Sequence, residues 1–214
     1  MGITQTTGPG GRWPAATPRV LLDGRGEVTD LVGAHLRRFG VRTLQGAWVA
    51  EAAAVDIEVG DPRAFLNAVV LIGRGSADPA RARPWWVGGI PHLPVRVGVH
   101  RVRVGPLVVP GRSSCLTCHD LARAQRARGR PVRSPDGAAW TGLVAPVDSG
   151  PEPSLVILAS AVTAAVILDV IAGDTSLAGV STEVHTPVPA LIHRHWPRHP
   201  GCTCSREGPE RTSA

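Results

Sequence analysis

Hydrophobic residues near the start of the chain alternate between short runs and a helical repeat. Residues 20–22 are aliphatic and typical of a buried strand, and the turn Asp23-Gly24-Arg25-Gly26 follows them. Apolar residues then recur at helical spacing over 28–39 and stop at Gly40, and residues 41–44 predict a second strand. This order indicates a βαβ unit, with parallel strands joined by a right-handed crossover.

The middle of the chain changes its hydrophobic period from helical to alternating. Asp61-Pro62 predicts the start of a short helix that reaches residue 67, followed by a buried strand over 68–72. Asp78-Pro79 predicts another helix, which runs through Trp85 and Trp86. Over 93–104 valines alternate with Arg, Gly and His, so we expect one or two half-exposed strands.

The second half predicts two helices and two strands. A helix is expected over 115–128, an irregular loop over 129–153, an apolar helix over 153–172, and strands over 180–185 and 191–195. The apolar helix is nearly long enough to span a membrane, but its Asp169 and its many small residues favour a buried helix. We therefore predict a disordered lead-in over 1–18, one Rossmann-like α/β domain over 19–204 and a flexible tail over 205–214.

The composition narrows the possible functions. All 23 basic residues are arginines, so mechanisms that need a lysine amino group are excluded. A net charge of +6 is modest for this length, which makes nucleic-acid binding unlikely. The start of the chain has no apolar signal region, so we expect a cytoplasmic protein without a membrane anchor.

The four cysteines form two close pairs that are far apart in the chain. Cys115 and Cys118 make a C-x2-C pair, and Cys202 and Cys204 make a C-x-C pair. Each pair can supply one edge of a tetrahedron, which predicts a structural zinc site. The alternatives are unligated thiols, a disulfide or a redox pair, and His119 or His199 could replace one cysteine ligand.

Two segments around these cysteines resemble a known family. The sequence VGPLVVPGRSSCLTCHDLARA (104–124) and HPGCTC (199–204) resemble the ThiF/MoeB superfamily of ubiquitin-activating-type adenylating proteins. More narrowly, 89–118 and 183–204 are similar to actinobacterial ThiF-like partner proteins of azoline-forming cyclodehydratases. The resemblance implies a Rossmann-like, often dimeric domain whose four cysteines hold structural zinc, in the biosynthesis of ribosomal peptide natural products.

The chain departs from this family where ATP would bind. Gly24 and Gly26 fit the first two glycines of the nucleotide loop, but Thr29 replaces the third and Glu27 adds a charge that repels phosphate. No carboxylate stands at 44–47 to hold a ribose, the family's lysine is absent, and the stretch before Val69 is short. We therefore expect a degenerate member with no catalytic residues. Its Gly24/Gly26 turn is either a tight turn or a vestigial nucleotide loop.

Three other features have functional and structural interpretations. His193 and His195 share a strand face but are expected to be exposed rather than metal-bound. The arginine run Arg123, Arg126, Arg128, Arg130 and Arg133 is interpreted as a solvated face. Trp85 and Trp86 are adjacent and cannot both point into the core, so one of them is a candidate interface residue.

These observations predict a non-catalytic accessory protein. It would present a peptide or a modifying enzyme, such as a YcaO-type cyclodehydratase, and a homodimer is possible. With only 18 residues before the first strand, we expect no N-terminal leader-binding domain. The alternatives are an ATP-dependent adenylyltransferase that activates a peptide or sulfur-carrier carboxylate, and a self-associating remnant of the fold.

Overall fold

A computed structural model describes residues 17–60, 65–75, 78–128, 150–186 and 190–205. Its strands are β1 (Arg19–Asp23), β2 (Arg42–Gln45), β3 (Ala68–Gly73), β4 (His92–Val97), β5 (Arg101–Val104), β6 (Val180–His185) and β7 (Ala190–His195). Its α-helices are α1 (Glu27–Arg38), α2 (Ala47–Glu58), α3 (Pro79–Val87), α4 (Leu116–Arg128) and α5 (Pro153–Ile171). A short 3-10 helix, Thr203–Ser205, follows them.

The seven strands form one mixed sheet in the order β2-β1-β3-β4-β5-β6-β7. The pairings of β1 with β2, of β1 with β3 and of β3 with β4 are parallel, whereas β4 to β7 pair antiparallel. From β1 the chain crosses to β2, which lies along one edge of β1, and from β2 it crosses back to β3, which lies along the other edge of β1. The strand order therefore reverses between β1 and β3, which creates a topological switch point at their carboxyl ends.

Helices cover both faces of the sheet because alternate residues of its central strands point in opposite directions. Val20 and Leu22 of β1 lie in a core that is filled from α1 and α5. Leu21 lies in a second core, which receives Ala50 of α2, Trp85 of α3 and Leu116 of α4. The α/β fold expected from the sequence is thus present, with helices on both faces of one sheet.

Helix α5 is the apolar helix that is nearly long enough, from its sequence, to span a membrane. It has 19 residues, and its most apolar 18-residue window has a mean hydropathy of 2.4, so length and composition alone would allow it to cross a membrane. In the fold it packs along α1 and against β5, and Leu155, Ala159 and Ile167 have no exposed surface. This packing is that of a core helix.

Two sequence predictions need correction in the middle of the chain. The helix expected from Asp61 lies partly outside the described residues, and 65–67 are not helical. No element was predicted for 46–60, where the structure has α2. The helical period is weak there because alanines and valines are spread around the helix, so the hydrophobic pattern marked no face.

Candidate functional site

The first cysteine pair lies at the start of α4. Cys115 directly precedes the helix and Cys118 lies in its first turn, and the His119 N–H donates to the Cys115 carbonyl over 3.2 Å. One helical turn therefore places both sulfurs on the same side of the chain. Cys118 is fully buried, and Cys115 is half-buried.

The second cysteine pair is brought to α4 by the segment that follows β7. The Ser114 hydroxyl donates to the Trp196 carbonyl over 2.7 Å, and the Trp196 indole N–H donates to Ser181 Oγ over 2.8 Å. The Arg198 guanidinium donates to the carbonyls of Ser113 and Gly111. These bonds position Trp196 and Arg198 against the loop before α4, so Cys202 and Cys204 arrive beside the first pair.

The four sulfurs of Cys115, Cys118, Cys202 and Cys204 all lie within 4.8 Å of one another. Sγ of Cys115 is 3.9 Å from Sγ of Cys118 and 3.6 Å from Sγ of Cys202, and the Cys118 and Cys204 sulfurs are 3.3 Å apart. A tetrahedral ion with metal–sulfur bonds of about 2.3 Å requires sulfur–sulfur edges of about 3.8 Å. The cluster therefore has the donor set and the size for one soft divalent cation.

The protonation of these thiols also fits a metal site. None of the four cysteines is in a disulfide. Burial raises the pKa of Cys115 to about 11 and also raises that of Cys204, whereas hydrogen bonds, the largest from the His199 backbone, outweigh burial and lower the pKa of Cys118. Several thiolates cannot accumulate so close together unless a cation compensates their charge. A bound divalent ion would supply that compensation and keep all four sulfurs as ligands.

The two histidines that could have replaced a cysteine ligand have other contacts. The His119 ring packs edge-on against Trp196, with 4.1 Å between the ring centroids. His199 Nδ1 accepts from the Gly201 N–H over 3.1 Å, and its Nε2 lies 3.2 Å from Gln125 Oε1. The group of ligating atoms that comes together in the described chain consists of the four cysteines.

The second candidate site, Gly24 and Gly26, lies at the switch point. A Cβ on Gly24 would come within 2.8 Å of the Ile72 carbonyl oxygen, so this close approach of β1 to β3 requires glycine. Gly26 has a φ of 96° and a ψ of 179° and forms the N-cap of α1, a conformation that is essentially restricted to glycine. Both glycines thus have structural reasons to be present, independent of any nucleotide.

The side chains around this turn differ from those of a phosphate-binding helix terminus. Glu27 and Asp30 place two carboxylates in the first turn of α1, where the helix dipole would otherwise favour an external anion. Thr29 is fully buried, and its hydroxyl has no hydrogen-bond partner. Its Oγ1 would lie 3.2 Å from a Cβ on Gly24, so the threonine fills the space beside that glycine.

An ion pair between a buried carboxylate and a half-exposed arginine lies at the same edge of the sheet and was not predicted from the sequence. Asp23 ends β1 and is 3% exposed, and both of its carboxylate oxygens accept from Arg81 Nη2 over 2.5 and 2.6 Å. Burial raises the pKa of Asp23, and the nearby Arg81 guanidinium opposes that rise. The sequence did contain one signal for this pair, because Asp23 is a charged residue at the carboxyl end of a buried strand. Its partner Arg81 on α3 could not be predicted, because no spacing in the sequence connects the two residues.

A second arginine lies beside this pair. Arg96 of β4 is paired in register with Gly73 at the end of β3, and burial lowers the pKa of Arg96 to about 10. Its Nε is buried and has no hydrogen-bond partner. The switch point therefore contains Asp23, Arg81 and Arg96 beside the Gly24/Gly26 turn.

Comparisons with known proteins identify the fold. No protein-family model and no curated protein matches this chain. A heterocyclase solved in complex with substrate and cofactor aligns with a TM-score of 0.58 and 14% identity, over 88% of this chain and 25% of the heterocyclase. E. coli MccB aligns with a TM-score of 0.58 and 12% identity when solved with succinimide, and with 0.55 and 13% when solved with ATP. Both MccB alignments cover 87% of this chain and 66% of MccB.

These neighbours show that the chain shares the fold of MccB and of the matched part of the heterocyclase, which agrees with the α/β fold expected from the sequence. At such low sequence identities, the structural similarity shows the fold alone. The chain spans a quarter of the heterocyclase and about two thirds of MccB, so the activities of those whole proteins are not transferred with the fold.

The remaining sequence candidates have structural contacts of their own. His193 Nδ1 lies 2.9 Å from Thr182 Oγ1, and no described metal-ligating group includes His193 or His195. Arg126 stacks on the Trp196 ring at 5.0 Å, while Arg130 and Arg133 lie outside the described residues.

The two adjacent tryptophans of α3 differ in burial, as expected from their neighbouring positions on a helix. Trp85 is 2% exposed, and Trp86 is half-buried between the second core and the cysteine cluster. Among the tryptophans that the structure describes, the exposed one, at 75%, is Trp48 on α2.

Proposed function

We propose that this chain is a non-catalytic scaffold, stabilised by one zinc ion, that assists a peptide-modifying enzyme such as a YcaO-type cyclodehydratase. The observation that carries the non-catalytic part is the Asp23–Arg81 ion pair at the switch point. Ligands of open α/β sheets bind outside the carboxyl ends of the strands at that position. A carboxylate held there repels the phosphates of ATP, and the guanidinium that could have attracted them is already paired.

The charges at the start of α1 support the same conclusion. Glu27 and Asp30 occupy the helix terminus that a triphosphate would need, and the chain has no lysine to neutralise the phosphates. Arg96 lies close by, but an isolated arginine does not replace both a glycine-rich loop and a lysine. We infer that the Gly24/Gly26 turn retains the backbone shape of a nucleotide loop without its function.

The zinc ion has a structural task in this proposal. Cys115, Cys118, Cys202 and Cys204 would hold the ion, which would supply charge compensation for the thiolates and a crosslink, without an open coordination position for a substrate. The crosslink would fix the segment after β7 to the start of α4. All four sulfurs would then be committed, leaving none for a thioester or a redox reaction.

The peptide-modification setting is supported by the neighbours in fold. One is a heterocyclase solved with its substrate, and another is MccB. The partner in our proposal is therefore a peptide or the enzyme that modifies it. A homodimer and a cytoplasmic location remain predictions from the sequence.

The alternative is ATP-dependent activation of a carboxylate on a peptide or sulfur-carrier protein. The observation in its favour is the shared fold with MccB, which has been solved with ATP. ATP–pyrophosphate exchange by the purified chain distinguishes the two functions. We expect no exchange above background and no retention of ATP in equilibrium dialysis with Mg²⁺. Exchange that disappears in an Arg96→Met variant would establish the adenylation alternative.

The accessory role needs a second test with a partner enzyme. A cyclodehydratase from the same biosynthetic locus should co-elute with this chain in size-exclusion chromatography and turn over its peptide faster in its presence. The Cys204→Ser variant should lose this effect together with its metal. Unchanged turnover with and without the intact chain would contradict the accessory role.

A further inference from the structure

The outward face of α2 carries an apolar stripe that the fold does not use. Trp48, Ala52, Val55 and Val59 follow one another at spacings of four, three and four residues, which places them on one side of the helix. The exposed fractions are 75% for Trp48, 57% for Val55 and 74% for Val59. The opposite side, with Ala50 and Ile57, packs on the second core. We refer to the four outward residues as the α2 stripe.

A surface helix normally presents polar residues to water and apolar residues to the core. Helix α2 is apolar on both sides, and its exposed side includes a tryptophan, the residue type most enriched among binding hot spots. An exposed apolar surface of this kind is typical of a contact with another protein.

The charged residues of α2 itself are all negative. Glu51 and Glu58 flank it on one side and Asp56 on the other, each about 70–90° around the helix axis from the centre of the stripe at 100° per residue. All three acids are exposed, and α2 contains no basic residue. This acidic rim is local, because the whole chain carries a net charge of +6.

The rim determines which partner fits. If α2 paired with the α2 of a second copy in antiparallel fashion, the Glu51 and Glu58 flanks would face each other. In a parallel pair, they would face Asp56 of the other copy. Both arrangements place like charges together across a desolvated contact, which is unfavourable.

We propose that the α2 stripe binds an amphipathic helix of a different protein, one whose apolar side is flanked by arginine or lysine. The apolar residues would be buried between the two helices, and the basic flanks would face Glu51, Asp56 and Glu58. This inference goes beyond the scaffold function and does not depend on the zinc ion or on the absence of ATP chemistry. Its test therefore measures binding only.

The test uses two designed peptides and the full chain. Both peptides are helical and have leucines at positions i, i+4, i+7 and i+11. The leucines are flanked by arginines in one peptide and by glutamates in the other. Fluorescence anisotropy of the labelled peptides should show that the arginine peptide binds at least about 10-fold more tightly than the glutamate peptide. This difference in affinity should shrink as salt is added.

Two matched pairs of variants test the face. Trp48→Ala should weaken binding of the arginine peptide about 5-fold or more, whereas Ile157→Ala, at an exposed apolar position on α5, should leave it unchanged. Glu58→Arg should weaken the arginine peptide about 3-fold and strengthen the glutamate peptide, whereas Asp169→Arg on α5 should change neither.

Three results would overturn the proposal. One is equal binding of the two peptides, or binding that Trp48→Ala does not change. Another is a dimer in analytical ultracentrifugation that Trp48→Ala dissociates, because a second copy would then occupy the stripe. The third concerns the fluorescence of Trp48 in the free chain, which is obtained as the difference between wild type and Trp48→Phe. If iodide does not quench this fluorescence, another part of the chain covers the helix.

Discussion

The Arg81 guanidinium donates through Nη2 to both carboxylate oxygens of Asp23, at 2.5 and 2.6 Å. The two residues differ in burial, since the Asp23 side chain is 4% exposed and the Arg81 side chain is 56% exposed. The pair therefore joins a buried anion at the end of β1 to a cation that reaches in from α3. It places negative charge where a nucleotide phosphate would approach and keeps that charge compensated.

Removing the cation of this pair should destabilise the fold more than removing both charges. Arg81→Met leaves the Asp23 carboxylate buried without compensation, and because Arg81 is half-exposed we expect a loss of about 1–3 kcal/mol in the free energy of unfolding. The double variant Asp23→Asn/Arg81→Met should recover part of that loss. Urea denaturation at pH 7 measures both values.

The same pair predicts a pH dependence. Burial already raises the Asp23 pKa above its unfolded value, and loss of Arg81 raises it further. A raised carboxyl pKa means that the folded state binds the proton more tightly, so the stability deficit of Arg81→Met should shrink as the pH falls. A deficit that is constant from pH 7 to pH 5 would show that the carboxylate is not the cause.

Metal analysis should find one zinc ion per chain, and extraction of the ion should loosen the segment after β7. Since the four sulfurs close a crosslink between distant parts of the chain, we expect a loss of about 3 kcal/mol, which lowers Tm by about 6–12 °C at this chain length. Cys204→Ser should reproduce the effect of chelation, whereas His199→Gln should retain the metal. Unchanged melting after complete extraction would refute a structural zinc site.

The close approach of β1 to β3 makes Gly24 sensitive to a single added methyl group. In Gly24→Ala the Cβ would meet Ile72 Cβ at 2.7 Å and the Ile72 carbonyl oxygen at 2.8 Å, and the backbone oxygen cannot move without shifting β3. We expect a loss of about 2 kcal/mol from this overpacking. Gly150→Ala is the matched control, because no atom of the described residues lies within 4 Å of a Cβ at that position. Thermal denaturation that shows no difference between the two variants would contradict the described approach.

His92 should contribute to acid sensitivity. It is 1% exposed, its Nδ1 lies 3.0 Å from the Ile90 carbonyl, and burial lowers its pKa to about 4 from the usual 6.5. The unfolded chain then binds the proton more readily, so stability is lost as the pH falls from 6.5 to 4, by up to about 3 kcal/mol.

The His92→Asn variant isolates this contribution, because metal loss in acid affects both proteins equally. The difference in unfolding free energy between wild type and variant should narrow steadily across that pH window. A difference that stays constant between pH 7 and pH 4.5 would show that His92 does not titrate as its burial requires.

The elements with a clear hydrophobic period could be predicted from the sequence. The aliphatic run of β1, the helical repeat of α1 and the alternating valines of β4 and β5 each matched the structure, as did the Asp78-Pro79 start of α3. Helix α2 was missed because its apolar residues surround the axis. The same property leaves the α2 stripe exposed, so this missed element also contains the proposed docking face.

The sequence by itself determined the α/β class and the pairing of four cysteines as candidate metal ligands, because hydrophobic period and ligand spacing are local properties of the chain. The tertiary structure decided what those spacings could not. It brought Cys202 and Cys204 to Cys115 and Cys118, and it placed Arg81 against Asp23. Such contacts depend on strand order and helix packing, which join residues that no local pattern connects.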